Sequence, residues 1–358
     1  MSRAPRARLT GPAEIVRRTL GRSSGRLRSL PILALSVHSA CNCRCVMCDI
    51  WKANTERREL SLADLDRHLA GIRRLHVSRV MLTGGEPLLH SNLWALCDRL
   101  KAAGIHVTLL TTGILVARHA AEIALGCDDV VVSVDGDRET HDRIRRVRGG
   151  FDRIAEGVAA LRAISGIPIW GRTVVQQQNC SNLRTIVRAA HELALDRISF
   201  LAADVTTAAF NRPRPWDETR QREVRLGQEE LPVLAAAIEA LVREDAHELR
   251  TGFVENSPAS LWRIHAHYAA PAGQGECPAP RCNAPWVSAV VDLDGAVRPC
   301  FFHEPYGRLD DGADLGAVIN SPKAVAFRRG LDVATDETCR RCVCSLNLPA
   351  WRRSGCPR

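Results

Sequence analysis

Three cysteines near the start of the chain lie in the run Cys41-Asn42-Cys43-Arg44-Cys45-Val46-Met47-Cys48, with spacings of three and two residues between Cys41, Cys45 and Cys48. Thiolates are soft ligands, and three of them at this spacing suit a four-iron cubane, leaving one iron without a protein ligand. The amine and carboxylate of an amino acid can chelate that open iron. Zinc is the competing reading, because a structural zinc site takes four ligands and Cys43 is at hand. Four ligands packed into eight residues make a cramped tetrahedron, so the balance favours iron and sulfide.

The elements that must position this loop read as alternating strand and helix. Short β-branched or apolar runs at Ile32–Val37, Arg79–Thr83, His106–Leu110, Asp129–Val134, Pro168–Val175 and Arg197–Leu201 predict six strands. Between them, periodic segments such as Leu62–Leu75, with Ser61 and Asp64 placed as cap and capping partner, and Asn92–Ala103 predict helices. The rhythm is that of a parallel α/β sheet, and six units make a partial (β/α)6 barrel whose strand ends would carry the cysteine loop. Residues 206–232 are polar, with Pro213 and Pro215, and are expected to be a linker or active-site loop; Leu231–Arg243 reads as a helix. Seven cysteines crowd into residues 277–358, predicting a small metal-stapled C-terminal domain. The expected division is a basic arm over 1–30, the barrel over 31–205, a linker and helical segment over 206–270, and the cysteine-rich domain over 271–358.

A chain of 358 residues with 46% hydrophobic and 25% charged residues can build a large core and is not disordered by composition. Its fourteen cysteines, without a signal-peptide pattern, point to a reducing, cytoplasmic setting in which clustered thiols bind metal rather than form bridges. The net charge of +9 is concentrated at the start, where residues 1–30 carry eight Arg against Glu14. A solvated arm is the plainer reading; peripheral contact with anionic lipid or nucleic acid is the alternative. Cys97, Cys127 and Cys180 stand alone and read as inert buried thiols.

The cysteine run resembles the CxxxCxxC signature of the radical S-adenosylmethionine superfamily, placed after the first strand. Thr83-Gly84-Gly85-Glu86-Pro87 after the second strand is similar to that family's GGEP motif, and Ser133-Val134-Asp135-Gly136 after the fourth to its SxDG motif. The resemblance implies that Cys41, Cys45 and Cys48 hold a [4Fe-4S] cluster. It also implies that Gly84, Gly85, Glu86 and Pro87 receive the methionine ammonium of S-adenosylmethionine, that Ser133 lies near its carboxylate, and that the strand leading to Asp135 approaches its ribose; ordinary strand-end turn formers are the alternative reading of Ser133 and Asp135. Arg145 is the expected carboxylate partner, with Asn179 near the adenosine. Met47 stands where many members carry an aromatic against adenine. Cys282, Cys300, Cys339 and Cys342 resemble the auxiliary-cluster domain called SPASM, or its shortened twitch form, implying at least one further [4Fe-4S] cluster. Cys277, Cys344 and Cys356 could complete a second, although Leu348 and Arg352 stand where SPASM expects cysteines; a zinc ribbon is the alternative.

The activity implied is reductive cleavage of S-adenosylmethionine to a 5′-deoxyadenosyl radical that takes hydrogen from a substrate, with flavodoxin or ferredoxin supplying the electron. Phe301 follows Cys300 where sulfatase-maturating relatives carry an Asp base, which leaves His303 and Glu304 as base candidates. Thirty Arg-rich residues are too few to fold a leader-binding domain, so a small metabolite stays in play beside a peptide presented by a separate partner. The non-enzymatic alternative is a metal-stapled binding or electron-transfer protein with a nucleic-acid- or membrane-contacting arm.

Overall fold

The structure is a computed structural model that describes residues 12–212, 214–309 and 313–349. Six parallel strands form in chain order: β1 Ile32–His38, β2 Arg79–Gly84, β3 His106–Thr111, β4 Asp129–Ser133, β5 Ile169–Val175 and β6 Arg197–Ala202. They pair in sequence as β6-β5-β4-β3-β2-β1, the order of a partial barrel. The helices between them are α2 Leu62–Arg74, α3 Leu93–Ala102, α4 Ala120–Gly126, α5 Arg138–Arg145, α6 Gly150–Ile164 and α7 Leu183–Glu192, with α1 Pro12–Ser24 ahead of the barrel. Ser61 and Asp64 close the expected capping box on α2.

Alternate strand residues divide the two faces. Leu33, Leu35, Val80, Leu82, Val107, Leu109, Val130 and Val132 are buried in one core with Leu65, Ile72, Leu96, Leu100 and Ile123 of the helices. The concave face is more polar. At its floor Arg79 donates to Thr108 and Asp129, both at 3.0 Å, and Asp129 also meets His106 Nε2 at 2.8 Å. This network spans β2, β3 and β4 at the ends away from the cysteine loop.

After β6 come α8 Glu218–Arg222, α9 Glu230–Glu244, α10 Ala246–Thr251 and α11 Pro258–Ala269. Tyr268 of α11 ties the tops of two strands, its hydroxyl donating to Val175 O at 2.6 Å and accepting from Ala203 N–H at 2.7 Å. The C-terminal region holds α12 Ala284–Val287, strands β7 Ser288–Val291, β8 Ala296–Arg298 and β9 Gly307–Arg308, then α13 Leu315–Ile319, α14 Pro322–Gly330 and α15 Glu337–Arg340. Strand β7 adds in parallel to β1, and β8 and β9 follow antiparallel. The cysteine-rich region is therefore a continuation of the barrel sheet, which sequence patterning did not anticipate.

The basic arm also needs correcting. Residues 12–30 are a helix and a packed connection, not a solvated tail: buried Arg18 donates to Leu348 O and Pro349 O, and Glu14 accepts from Ser29 Oγ at 2.5 Å. Arg3, Arg6 and Arg8 lie outside the described residues, as does Cys356.

Burial alone would raise the Asp129 carboxyl, but the His106 hydrogen bond and the Arg79 charge outweigh it and hold it below its ordinary range. Asp129→Ala should cost about 3 kcal/mol, because it leaves the Arg79 charge without its carboxylate. Urea titration checks the size. The contribution should be full above the unfolded carboxyl value of about 4 and fade as pH falls below it.

Candidate active site

Two chain reversals meet at the tops of β1 and β2. Gly85 N–H donates to His38 O at 2.7 Å and Glu86 N–H to Ala40 O at 2.9 Å, so the turn after β2 lies directly on the chain entering the cysteine loop. A Cβ at Gly84 would collide with His38 O and one at Gly85 with Ala40 O, and Gly84 has φ +129°. Only glycine fits this approach.

Glu86 is fully buried. Its carboxylate accepts from Leu88 N–H (3.0 Å), Thr111 Oγ1–H (2.8 Å) and Thr112 N–H (2.7 Å), and burial pushes its pKa up. The side chain is thus committed to holding the turn on the end of β3. Pro87 begins the short 3-10 turn Pro87–Leu89 that follows.

Asp135 is equally committed: Oδ2 accepts from Arg145 Nε–H at 2.6 Å and Oδ1 from Val174 N–H at 2.9 Å. Asn179 Nδ2 donates to Asp135 O (2.9 Å) and Val174 O (3.1 Å), while its Oδ1 accepts from Gln176 N–H (2.8 Å). Arg145 therefore meets a carboxylate of the chain itself. Ser133, by contrast, ends β4 half-buried, and no hydrogen bond engages its hydroxyl among the described residues.

Cys41, Cys45 and Cys48 pack in one small cluster with Met47, Val174 and Trp216. The Cys45 thiol is drawn down to about 6, chiefly by a hydrogen bond from Cys43 and then, against burial, by the charge of Arg145; burial and the Cys45 charge push Cys48 up to about 12. Cys43 is buried and pushed up by its neighbouring thiols Cys41 and Cys45. The free thiols resist ionising together, whereas a cationic metal centre stabilises the thiolates.

The polar stretch 206–232, expected to be a linker or active-site loop, supplies a cover over the cysteine loop. Trp216 Nε1–H donates to Asp49 Oδ2 at 2.7 Å, Asn211 Nδ2 to Asp49 O at 3.3 Å, and Arg220 reaches Val46 O. Arg212 is buried between the Phe210 and Trp216 rings and paired with Asp204 at 2.5 Å. Sequence reading missed Gln176, which is fully buried with its amide nitrogen 3.7 Å from Met47 Sδ and its Oε1 without a hydrogen-bond partner among the described residues. Pro213, Pro215 and the charges of 206–232 were the signal for the loop but not for its contacts with Asp49 and Val46; nothing marked Gln176 among three consecutive glutamines.

In the C-terminal region burial is the first cause that raises Cys300 to about 11 and holds Cys339, Cys342 and Cys344 above the ordinary thiol range, and the nearby Cys282 thiol adds to each shift. Asn283 joins the segment after Cys344 to the one that carries Cys282. Its backbone N–H donates to Leu346 O at 2.7 Å, and its side chain exchanges hydrogen bonds with Leu348, folding Cys344 back beside Cys282. Cys277 is apart, with Arg263 and Arg340 as its charged neighbours, and lines a cavity of about 730 Å³ with His267 and Tyr268. His303 Nε2 lies 3.3 Å from Cys339 Sγ and 3.6 Å from Asp336 Oδ1, and Glu304 is exposed. Neither borders the cavity of about 500 Å³ between the two regions, which is lined by Ser36, His38, Gly84, Gly85, Phe210, Asp294 and Phe301 among others.

The donor sets fit iron-sulfur clusters: three crowded thiols beside a glycine cradle, and five more in one C-terminal group. No helix among the described residues is long and apolar enough to cross a membrane.

Family comparisons agree with this arrangement. The model of the Radical SAM superfamily matches residues 35–190, and that of an iron-sulfur cluster-binding domain, SPASM, matches 282–343. The pre-heme d1 synthase of Dinoroseobacter shibae is 29% identical over 198 residues, covering 54% of this chain and 48% of that protein. A probable GTP 3′,8-cyclase of Methanopyrus kandleri is 32% identical over 169 residues, covering 46% and 54%. The chain spans about half the length of these curated relatives. Among solved structures, Streptococcus suis SuiB bound to the precursor peptide SuiA matches with TM-score 0.60 at 16% identity, covering 92% of this chain and 74% of that one. The protein anSMEcpe with AdoMet and the Cp18Cys peptide matches at 0.63 and 17%, covering 87% and 86%. At these identities the structural likeness establishes the fold.

Gly85→Ala should abolish binding of S-adenosylmethionine, because the added methyl displaces the turn from Ala40. Equilibrium dialysis on anaerobically iron-loaded protein measures it; wild-type affinity in the variant would remove the turn from the site.

Proposed function

Starting from a chain that belongs to the radical SAM superfamily and carries a SPASM-type iron-sulfur domain, we propose that it cleaves S-adenosylmethionine reductively and abstracts hydrogen from a peptide or small-molecule substrate, with a C-terminal cluster assisting oxidation or electron transfer. The observation that carries this is the convergence of Cys41, Cys45 and Cys48 with a glycine turn that tolerates no side chain.

Cys41, Cys45 and Cys48 would hold the N-terminal [4Fe-4S] cluster, and four of the five C-terminal cysteines an auxiliary one. When bound, the N-terminal cluster would supply the one electron, drawn from a donor such as flavodoxin or ferredoxin, that breaks the S–C5′ bond of S-adenosylmethionine into methionine and the 5′-deoxyadenosyl radical.

The chain's own residues account for the rest. Backbone carbonyls of the Gly84–Gly85 turn receive a positive amine, since Glu86 is occupied in holding the turn. Ser133, with its hydroxyl uncommitted, suits the ligand's carboxylate. Met47 and Gln176 suit the adenosine, one by polarisable contact and the other through an amide oxygen without a partner. Asp135 and Asn179 orient the ends of β4 and β5. The segment with Phe210, Arg212 and Trp216 covers the cysteine loop and excludes water from it. The substrate fits the cavity between the glycine turn and Phe301. A peptide finds support in the fold shared with SuiB and anSMEcpe, and a small metabolite in the relatives named as cyclase and heme-pathway synthase.

Anaerobically loaded protein should hold about eight iron atoms, four per cubane. Dithionite and S-adenosylmethionine should then release 5′-deoxyadenosine, and Cys45→Ala should not. Fully loaded wild type that releases none would reject the activity.

A further inference from the structure

The guanidinium of Arg145 is enclosed between the cysteine loop and the ends of β4 and β5. Its Nε–H donates to Asp135 Oδ2 at 2.6 Å and its Nη1–H points to Cys45 Sγ at 3.5 Å. The backbone holds this register on both sides of Cys45: Arg44 N–H donates to Arg145 O at 3.2 Å, and Val46 N–H to Ile144 O at 3.0 Å. The last turn of α5 is therefore clipped to the loop, and the side chain has little freedom to turn away. Within α5, His141 is kept uncharged near pH 7 by burial and by Arg145, its pKa lowered to about 3. Arg145 is thus the cation that both hydrogen-bonds a thiol of the motif and forms a buried ion pair behind it.

We propose that Arg145 is a positioning residue that sets the reduction potential of the cluster held by Cys41, Cys45 and Cys48, with Asp135 limiting its effect; this rests on the proposed assignment of that cluster. Reduction adds one negative charge to the cluster and its thiolates. A cationic N–H donor on Cys45 stabilises the added charge in a site with little water, and so favours the reduced state. Hydrogen bonds to the sulfurs and local net charge are the levers by which proteins tune such centres. The carboxylate of Asp135 orients the guanidinium and cancels part of its field, so the two residues act with opposite sign.

The test is an anaerobic, dye-mediated redox titration of wild type, R145K, R145Q, D135N and R145Q/D135N, followed by electron paramagnetic resonance without S-adenosylmethionine. The signal read is the one whose g values move when S-adenosylmethionine is then added, which separates it from a C-terminal cluster. Arg145→Gln should shift the reduction equilibrium at least tenfold toward the oxidised form, about 59 mV for a one-electron couple. Asp135→Asn should shift it the other way, and Arg145→Lys should fall between wild type and R145Q. The double variant keeps the shape of the pair without its charges and should lie between the two single changes. Should R145Q fail to load iron, the opposite signs of R145K and D135N decide. Midpoints that coincide with wild type, with a loss of S-adenosylmethionine affinity in R145Q, would make Arg145 a ligand anchor and overturn the proposal. An iron-loaded wild type with no S-adenosylmethionine-responsive signal overturns the cluster assignment itself, and this inference with it.

Discussion

The site depends on one close backbone contact, the seating of the turn after β2 on the chain that leaves β1. His38 and Ala40 offer their carbonyls to Gly85 and Glu86, and the glycines permit the approach. This contact fixes the start of the cysteine loop relative to the turn that faces it, so the glycine turn and the three thiols share one reference frame. Glu86 then ties the turn to β3 through Thr111 and Thr112, and Asp135 ties β4 to β5 and, through Arg145, to the loop. Charged side chains that look made for a ligand are used here to weld strand ends, which is sensible physically: a buried carboxylate is tolerated where several donors satisfy it.

The six barrel strands were legible in the sequence because each is a short β-branched run bounded by turn residues, with a periodic helix following. The cysteine loop was legible because its ligands are neighbours in the chain. Roles that depend on distant partners were not. Residue type pointed to Glu86, Asp135, Arg145 and Asn179, but only the fold reveals that their hydrogen bonds are spent on one another and on backbone. Gln176 carries no local signal, since its interest lies in meeting Met47, 129 residues away, with its oxygen unpartnered. In the C-terminal region, spacing did not separate Cys344 from Cys277; Asn283 does so by turning the chain back beside Cys282.

Electrostatics distinguishes the two thiol groups. At the N-terminal site the Cys43 hydrogen bond and then the Arg145 charge draw the Cys45 thiol down, whereas in the C-terminal group burial is the leading cause and raises Cys300, Cys339, Cys342 and Cys344. His303 stands in the second group, beside Cys339 and Asp336, where it can orient a sulfur but not reach the cavity between the regions.

The pairing of β7 with β1 has a mechanical side. A continuous ladder runs from β6 through the barrel to β9, so the two cysteine-bearing regions are parts of one slab and not bodies joined by a hinge. Opening them apart would mean tearing parallel strands, a cost no ligand exchange should incur. The spacing between them is accordingly fixed by the sheet, and any widening of the cavity they share must come from the loop that carries Phe210, which spans from Asp49 to Phe302.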